Sequence, residues 1–183
     1  MGPPLGLGTR QPNQDLPASE LSIIAGFFGI SKYICKVFEV GEVDGHPYIA
    51  MELVEGQSLA SIQRSLNREQ KLMLLRDIAQ AIHSAHCSGV IHRDLKPSNV
   101  MVVQREDGTL RPVVMDFGLA RDQSSEEHLT MTGMVMGTPA YMSPEQAQGE
   151  VGRIDRRSDV YSLGAMLYEL LSGQLPFAGA TTV

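Results

Sequence analysis

The run HRDLKPSN, residues 92–99, crowds two cationic side chains, a carboxylate and an amide around a single proline. Pro97 has no N–H to give to a helix or a sheet ladder, so the run reads as a loop. An apolar helical pattern precedes it, and the apolar run Val100 to Val103 follows it. Polar groups at this density between two apolar elements read as a site held by a rigid scaffold.

Upstream of the loop, Asn67 and Gln70 stand in capping-box spacing, which predicts a helix start. Leu72, Leu75, Ile78, Ala79, Ile82 and Ala85 then fall at helical spacing, predicting one buried face that ends near Gly89. Before this, "SLASIQRSL" after Gly56 predicts a short helix, and two β-leaning runs, Tyr33 to Val43 and Tyr48 to Leu53, flank an Asp44-Gly45 turn and predict a hairpin. Residues 1–18, rich in Pro, Gly and polar side chains, cannot bury enough apolar surface to order themselves and read as a disordered lead-in.

Downstream, "VMVV" and "PVVM" surround "REDGTLR", whose Asp107-Gly108 pair predicts a second hairpin. In an antiparallel pair the residue entering the first strand lies beside the residue leaving the second, so Asn99 and Asp116 are expected to be neighbours. Two oxygen donors at a hairpin mouth suit magnesium, which keeps several waters and takes few protein ligands besides phosphates. Asp94 on the same loop can accept a proton, and Lys96 brings a point charge for a phosphoryl oxygen. Residues 122–137 read as a mobile loop, and Ser158 to Ser172 as a second buried helix.

Bulk composition narrows the class. The chain has 183 residues, 43% hydrophobic and 20% charged, enough for one core-bearing domain or two small lobes. A net charge of -6 without basic blocks argues against a nucleic-acid partner. Cys35 and Cys87 form no CxxC pair, so neither a zinc site nor a disulfide framework is expected, and a reducing cytoplasm fits. The longest apolar run, Ile23 to Ile30, falls far below the roughly 18 residues of a membrane helix. The N-terminus also lacks the order of a signal peptide.

His92 to Asn99 resembles the catalytic loop of eukaryotic-type (Hanks-type) serine/threonine protein kinases, and Asp116-Phe117-Gly118 resembles their metal-binding triplet. Ser143-Pro144-Glu145 is similar to the family's APE motif with Ser for Ala. "SDVYSLG" from Ser158 is similar to the start of the long central helix. The likeness runs from about Tyr33 to the C-terminus. It implies an α+β, two-lobed protein-kinase-like fold in which a disordered lead-in covers 1–19 and a partial kinase domain covers 20–183. Residues 20–56 would be the remnant of the small lobe and the hinge, and 57–183 a mainly helical large lobe without its last helices.

The implied activity is transfer of the ATP γ-phosphate to Ser or Thr hydroxyls of protein substrates, with ATP and Mg²⁺ as cofactors. Asp94 is then the catalytic base, Lys96 lies beside the γ-phosphate, and Thr138 bonds near both. Asn99 and Asp116 hold the metal. Met51, Glu52 and Val54 surround adenine with Met101 beneath the ring, and Lys96 and Asp116 also contact the nucleotide. Arg93 is the implied partner of phosphorylated Thr130 or Thr132. Asp159 is implied to anchor the backbone of the loop, and Glu145 to pair with an arginine of a later helix.

Several residues also carry plainer readings. His92 is expected to pack and hydrogen-bond beneath the loop, and His83 and His86 to be satisfied helical histidines instead of metal ligands. Asp159 also suits a first-turn acid that complements the helix dipole. Gly6-Leu7-Gly8 has no third glycine, and no lysine precedes Lys32, so no ATP-positioning lysine is recognisable near Lys32 or Lys36. Glu20 does not fit the spacing of its partner. Weak or no transfer is therefore expected of residues 1–183 alone. The alternative is a pseudokinase-like nucleotide-binding or protein-interaction module.

Overall fold

In a computed structural model of the chain, residues 31–44, 46–117 and 139–177 are described. The lead-in, Gly6, Gly8, Glu20, Gly45, Gly118, the 122–137 loop, Thr130, Thr132 and Thr138 lie outside the described residues.

A capping box opens the first long helix. The Asn67 side chain accepts from Gln70 N–H at 2.9 Å, and the Gln70 side chain accepts from Asn67 N–H at 2.9 Å. Two of the donors that a helix start leaves unpaired are thereby satisfied. Before it comes the single turn α1 (Leu59–Ile62), and the capped helix is α2 (Arg68–Cys87). The chain leaves α2 through Gly89 at φ 81, a conformation that costs glycine little.

The buried face of α2 differs from the expected one. Leu74, Asp77, Ile78, Ala81, Ile82 and Ala85 face inward, while Leu72 is 43% exposed and Ala79 is half-buried. An α-helix turns about 100° per residue, so once Leu74 faces the core, Leu72 lies about 200° away on the outside. There it joins Met73, Arg68, Glu69 and Arg76 along a groove at the far end of α2 from the 92–99 loop.

Two antiparallel sheets complete the frame. β1 (Val37–Val43) pairs with β2 (His46–Met51), and Asp44 at φ 51 begins the turn between them. β3 (Gln57–Ser58), β4 (Val100–Gln104) and β5 (Leu110–Val114) form the second sheet in that order. The expected first strand is shorter at its start, because residues 33–35 use the free edge of β5 instead. Val114 N–H donates to Tyr33 O at 2.8 Å and Cys35 N–H to Val114 O at 2.9 Å. The short helix after Gly56 also shrinks to Leu59–Ile62, and just before it Gln57 and Ser58 pair with Val102 and Met101. Gly56 permits that approach, as a Cβ there would lie 2.6 Å from Val102 O.

Beyond the second sheet, α3 (Pro144–Ala147) and α4 (Arg156–Ser172) follow. The last helix starts two residues earlier than the apolar pattern suggests, because the Asp155 side chain caps it by accepting from Arg157 N–H. One core joins the elements: Leu74, Ile78 and Ile82 of α2 pack with Val100, Val102 and Val114 of the sheet and with Ala165, Met166 and Leu170 of α4. No helix among the described residues is long and apolar enough to cross a membrane.

Candidate active site

The loop between α2 and β4 is fixed from beneath by Asp159 in the first turn of α4. Asp159 is fully buried and both its oxygens are engaged. Oδ2 accepts from His92 N–H at 2.9 Å and lies 2.6 Å from His86 Nε2, while Oδ1 accepts from Arg93 N–H at 2.9 Å. A buried carboxylate needs such partners to offset its lost hydration. His86 thus behaves as the satisfied helical histidine expected, and a helix acid becomes the loop's anchor.

His92 is fully buried and lies 4.6 Å, centroid to centroid, from the Phe117 ring. Its Nε2 lies 3.0 Å from Met115 O, and Asp94 N–H donates to its Nδ1 at 3.3 Å. A neutral ring with its proton on Nε2 satisfies both bonds. Burial, outweighing the nearby Asp159 and Asp94, holds its pKa below the ordinary value. The ring is therefore a neutral strut, as its packing role required.

Arg93 at φ 67 and Asp116 at φ 54 bracket the site in the left-handed region, which side chains rarely adopt. Such residues persist where their surroundings over-determine them, and they cluster at functional sites. Between them Pro97 opens a 3₁₀ turn, Pro97–Asn99, whose Asn99 N–H donates to Lys96 O at 3.0 Å. The turn folds Asn99 back over Asp94.

Three polar side chains meet there. Lys96 Nζ lies 2.7 Å from Asp94 Oδ2, and Asn99 Nδ2 donates to Asp94 O at 2.9 Å and to Asp94 Oδ2 at 3.2 Å. Asp94 keeps about a third of its side chain exposed (35%), so the group is open to a substrate. Val100 pairs with Val114 and Met115 N–H donates to Asn99 O at 2.8 Å, so Asp116 follows directly at the mouth of the hairpin.

These donors fit a hard cation. With Asn99 Nδ2 committed to Asp94, its carbonyl oxygen is the atom left to coordinate, and Asp116 is an exposed carboxylate one residue beyond Met115, whose N–H bonds the Asn99 backbone. Two protein oxygens completed by water and phosphate are a magnesium-like set. Among the described residues no group of three His, Cys, Asp or Glu side chains is arranged for a metal.

The expected adenine residues Met51, Glu52 and Val54 lie at the end of β2 and beyond it, all half-buried. Glu52 N–H is already used, donating to Lys36 O at 2.8 Å, and the Glu52 carbonyl accepts from Cys35 Sγ at 3.6 Å, so one carbonyl lone pair is left for a ligand. Behind it the Cys35 thiol is buried, and burial with the charges of Glu52 and Asp116 raises its pKa. Met101 is half-buried in β4, opposite Val113. Arg93 Nε is buried without a hydrogen-bond partner among the described residues.

Some polar links escaped the sequence reading. Tyr141 O–H donates to Glu169 Oε2 at 2.5 Å and Gln63 Nε2 to Glu169 Oε1 at 3.1 Å, and no local pattern announces either pairing. Burial, then the Glu169 bond, pushes the Tyr141 hydroxyl up. Gln146 donates to the Arg93 carbonyl. The Ser143–Gln146 capping-box spacing signals only the bond from Ser143 N–H to Gln146 Oε1, not the reach to Arg93. Glu145 accepts from Ser158 Oγ at 2.5 Å, and that bond holds its carboxyl below the usual range.

Comparison with known proteins gives the family. A model of the protein kinase domain matches residues 9–183. Serine/threonine-protein kinase PknB of Mycobacterium leprae is 41% identical over 157 residues, covering 82% of this chain and 24% of the relative. Serine/threonine-protein kinase pkn3 of Myxococcus xanthus is 43% identical over 155 residues, covering 81% and 28%. The chain thus spans about a quarter of the length of the curated relatives it matches. The crystal structure of the Mycobacterium tuberculosis PknI kinase domain superposes with a TM-score of 0.66 at 26% identity, covering 86% of this chain and 56% of that one.

Proposed function

The chain belongs to the protein kinase domain family, and from that premise we propose that it carries the phosphotransfer centre of an ATP-dependent serine/threonine protein kinase. The observation that carries this reading is the convergence of Lys96 and Asn99 on one oxygen of Asp94. With Oδ2 so occupied, Oδ1 is left to receive the hydroxyl of a substrate serine or threonine.

In the proposed reaction that hydroxyl oxygen bonds to the γ-phosphorus while the bond from the γ-phosphorus to the bridging oxygen breaks and ADP leaves. Asp94 orients the hydroxyl and takes its proton, and Lys96 offsets charge on the phosphoryl oxygens. Asn99 and Asp116 would hold a magnesium ion, which when bound supplies charge neutralisation to the phosphates. Met51, Glu52, Val54 and Met101 form the adenine side, making residues up to Gly56 the small lobe and hinge. The family resemblance also assigns Thr138 to the catalytic group. Phosphorylated Thr130 or Thr132 pairs with Arg93, whose buried Nε already needs an acceptor. A protein that spends ATP on protein hydroxyls with its cysteines unpaired fits the cytoplasm.

The test is transfer of labelled γ-phosphate from ATP to a generic Ser/Thr substrate. Slow transfer is expected, because no glycine-rich loop or positioning lysine is recognisable in residues 1–183. Asp94→Asn should lower it by about 10² to 10⁴-fold, and Asp116→Ala should remove it by taking away the carboxylate that would hold magnesium. Unchanged rates in both variants would overturn the assignment. The missing lysine favours one second reading, a nucleotide-binding module without turnover. That reading is marked by stabilisation with Mg-ATP, lost in Asp116→Ala, and no transfer.

A further inference from the structure

Gln146 lies in α3, outside every role given above, yet its side chain reaches the backbone of the catalytic loop. It is only 9% exposed and both its polar atoms are engaged. Oε1 accepts from Ser143 N–H at 3.2 Å and from Ser143 Oγ at 3.1 Å, and Nε2 donates to the carbonyl oxygen of Arg93 at 2.6 Å. The first two bonds cap a four-residue helix, a local task. The third joins residues 53 apart and does nothing for the cap.

The position of that carbonyl gives the bond its consequence. Arg93 holds a left-handed backbone at φ 67, with its N–H donated to Asp159 Oδ1. The peptide joining Arg93 to Asp94 has two polar groups, and both are held. Its carbonyl takes Gln146 Nε2, and its N–H donates to His92 Nδ1. That plane cannot rotate without breaking a bond, and its rotation would swing the Asp94 carboxylate away from Lys96 and Asn99. Of the partners of this peptide and of Arg93 N–H, the acceptors Asp159 and His92 belong to the buried frame of the loop. Gln146 alone comes from the segment that begins at Ser143.

We infer that Gln146 is a positioning residue for phosphotransfer: its side-chain amide fixes the Arg93–Asp94 peptide plane and so aims the base, coupling the seating of residues 143–147 to the orientation of Asp94. The inference rests on the phosphotransfer reading above. Glutamine suits the task because it needs an acceptor for Ser143 and a donor for Arg93 on one planar group. Glutamate keeps the acceptor but sets an oxygen against the carbonyl, leaving a buried polar group unsatisfied.

Gln146→Glu therefore separates the two tasks. Expected, at a temperature where both proteins are folded by circular dichroism, are a kcat about ten- to a hundredfold lower and a KM for ATP within about twofold, with a thermal midpoint lower by about 4–12 °C. Ser143→Ala removes one donor to Oε1 and leaves Nε2 in place. It should lower the midpoint while kcat stays within about twofold. An unchanged kcat in Gln146→Glu, or a loss that merely follows loss of folded protein, overturns the inference. Should the parent chain transfer no phosphate, the turnover reading fails for it, and the carbon-13 signal of the Arg93 carbonyl decides Gln146 separately. Movement of that signal and of the Asp94 and Lys96 signals in Gln146→Glu supports the coupling, whereas movement confined to residues 143–147 refutes it.

Discussion

Around the 92–99 loop, His92 and Asp159 are completely buried and bond to groups far along the chain, whereas in the β1–β2 hairpin Phe38 stays 57% exposed and Ile49 38%. Both regions carry clear local signals, a loop motif in one and an Asp-Gly turn in the other. They differ in what holds them. The loop is over-determined by α2, β5, α3 and α4, while the hairpin holds through its own ladder and through contacts at its base, such as Glu52 N–H to Lys36 O. An isolated two-stranded hairpin is marginal in water. The two regions should therefore open with very different free energies, the loop near the global value and the hairpin near the low end.

The comparison breaks most visibly at Asp159. Asp159→Ala leaves the N–H groups of His92 and Arg93 without acceptors and His86 without its partner. Removing one member of such a buried group costs about 3–5 kcal/mol, a large part of the stability of a domain. Urea unfolding should show the midpoint falling accordingly. A shift no larger than that of a surface substitution would mean that the loop is not anchored through α4.

A second, smaller effect comes from His92. Its pKa is lowered in the folded chain, so between that value and the ordinary 6.5 the unfolded chain binds a proton that the folded one refuses. The stability it contributes is present in full above 6.5 and is lost as pH falls through that window. Comparing urea midpoints of the parent and His92→Gln from about pH 7.5 to about pH 5 checks the sign. The gap between them should narrow with acid. A gap that widens would mean a charged imidazole inside the fold.

How much of this was legible in the sequence follows the same division. Capping boxes and Asp-Gly turns act over a few residues, so α2, both hairpins and the succession from Asn99 to Asp116 could be read directly. The loop motif gave Asp94, Lys96 and Asn99 as one group, and the coordinates bring those three together. The rotation of α2 was not legible, because Leu72 and Leu74 are equally apolar and the choice between them is made by β5 and α4, the elements packed against the helix. Nor were Tyr141 with Glu169 or Gln63 with Glu169, whose partners meet only after the helices have packed. Residues 33–35 looked like the start of a strand and were captured instead by the free edge of β5, a competition between two ladders that no local propensity resolves.

The smallest expected effect sharpens the contrast from the other side. Ile49 sits in β2 opposite Val40, with more than a third of its surface in water, so truncating it removes little buried area. Ile49→Ala should shift global stability by no more than about 0.5 kcal/mol. Amide exchange should nevertheless quicken across Val37–Val43 and His46–Met51, because a hairpin held mainly by its own cross-strand pairs opens without the rest of the chain. The amides of Val100, Val102 and Val114 should keep their protection. If they lost it together with the hairpin, the two sheets would be one cooperative unit. Tyr33, Ile34 and Cys35 on the edge of β5 would then be a structural splice that carries the small sheet's strain into the catalytic frame.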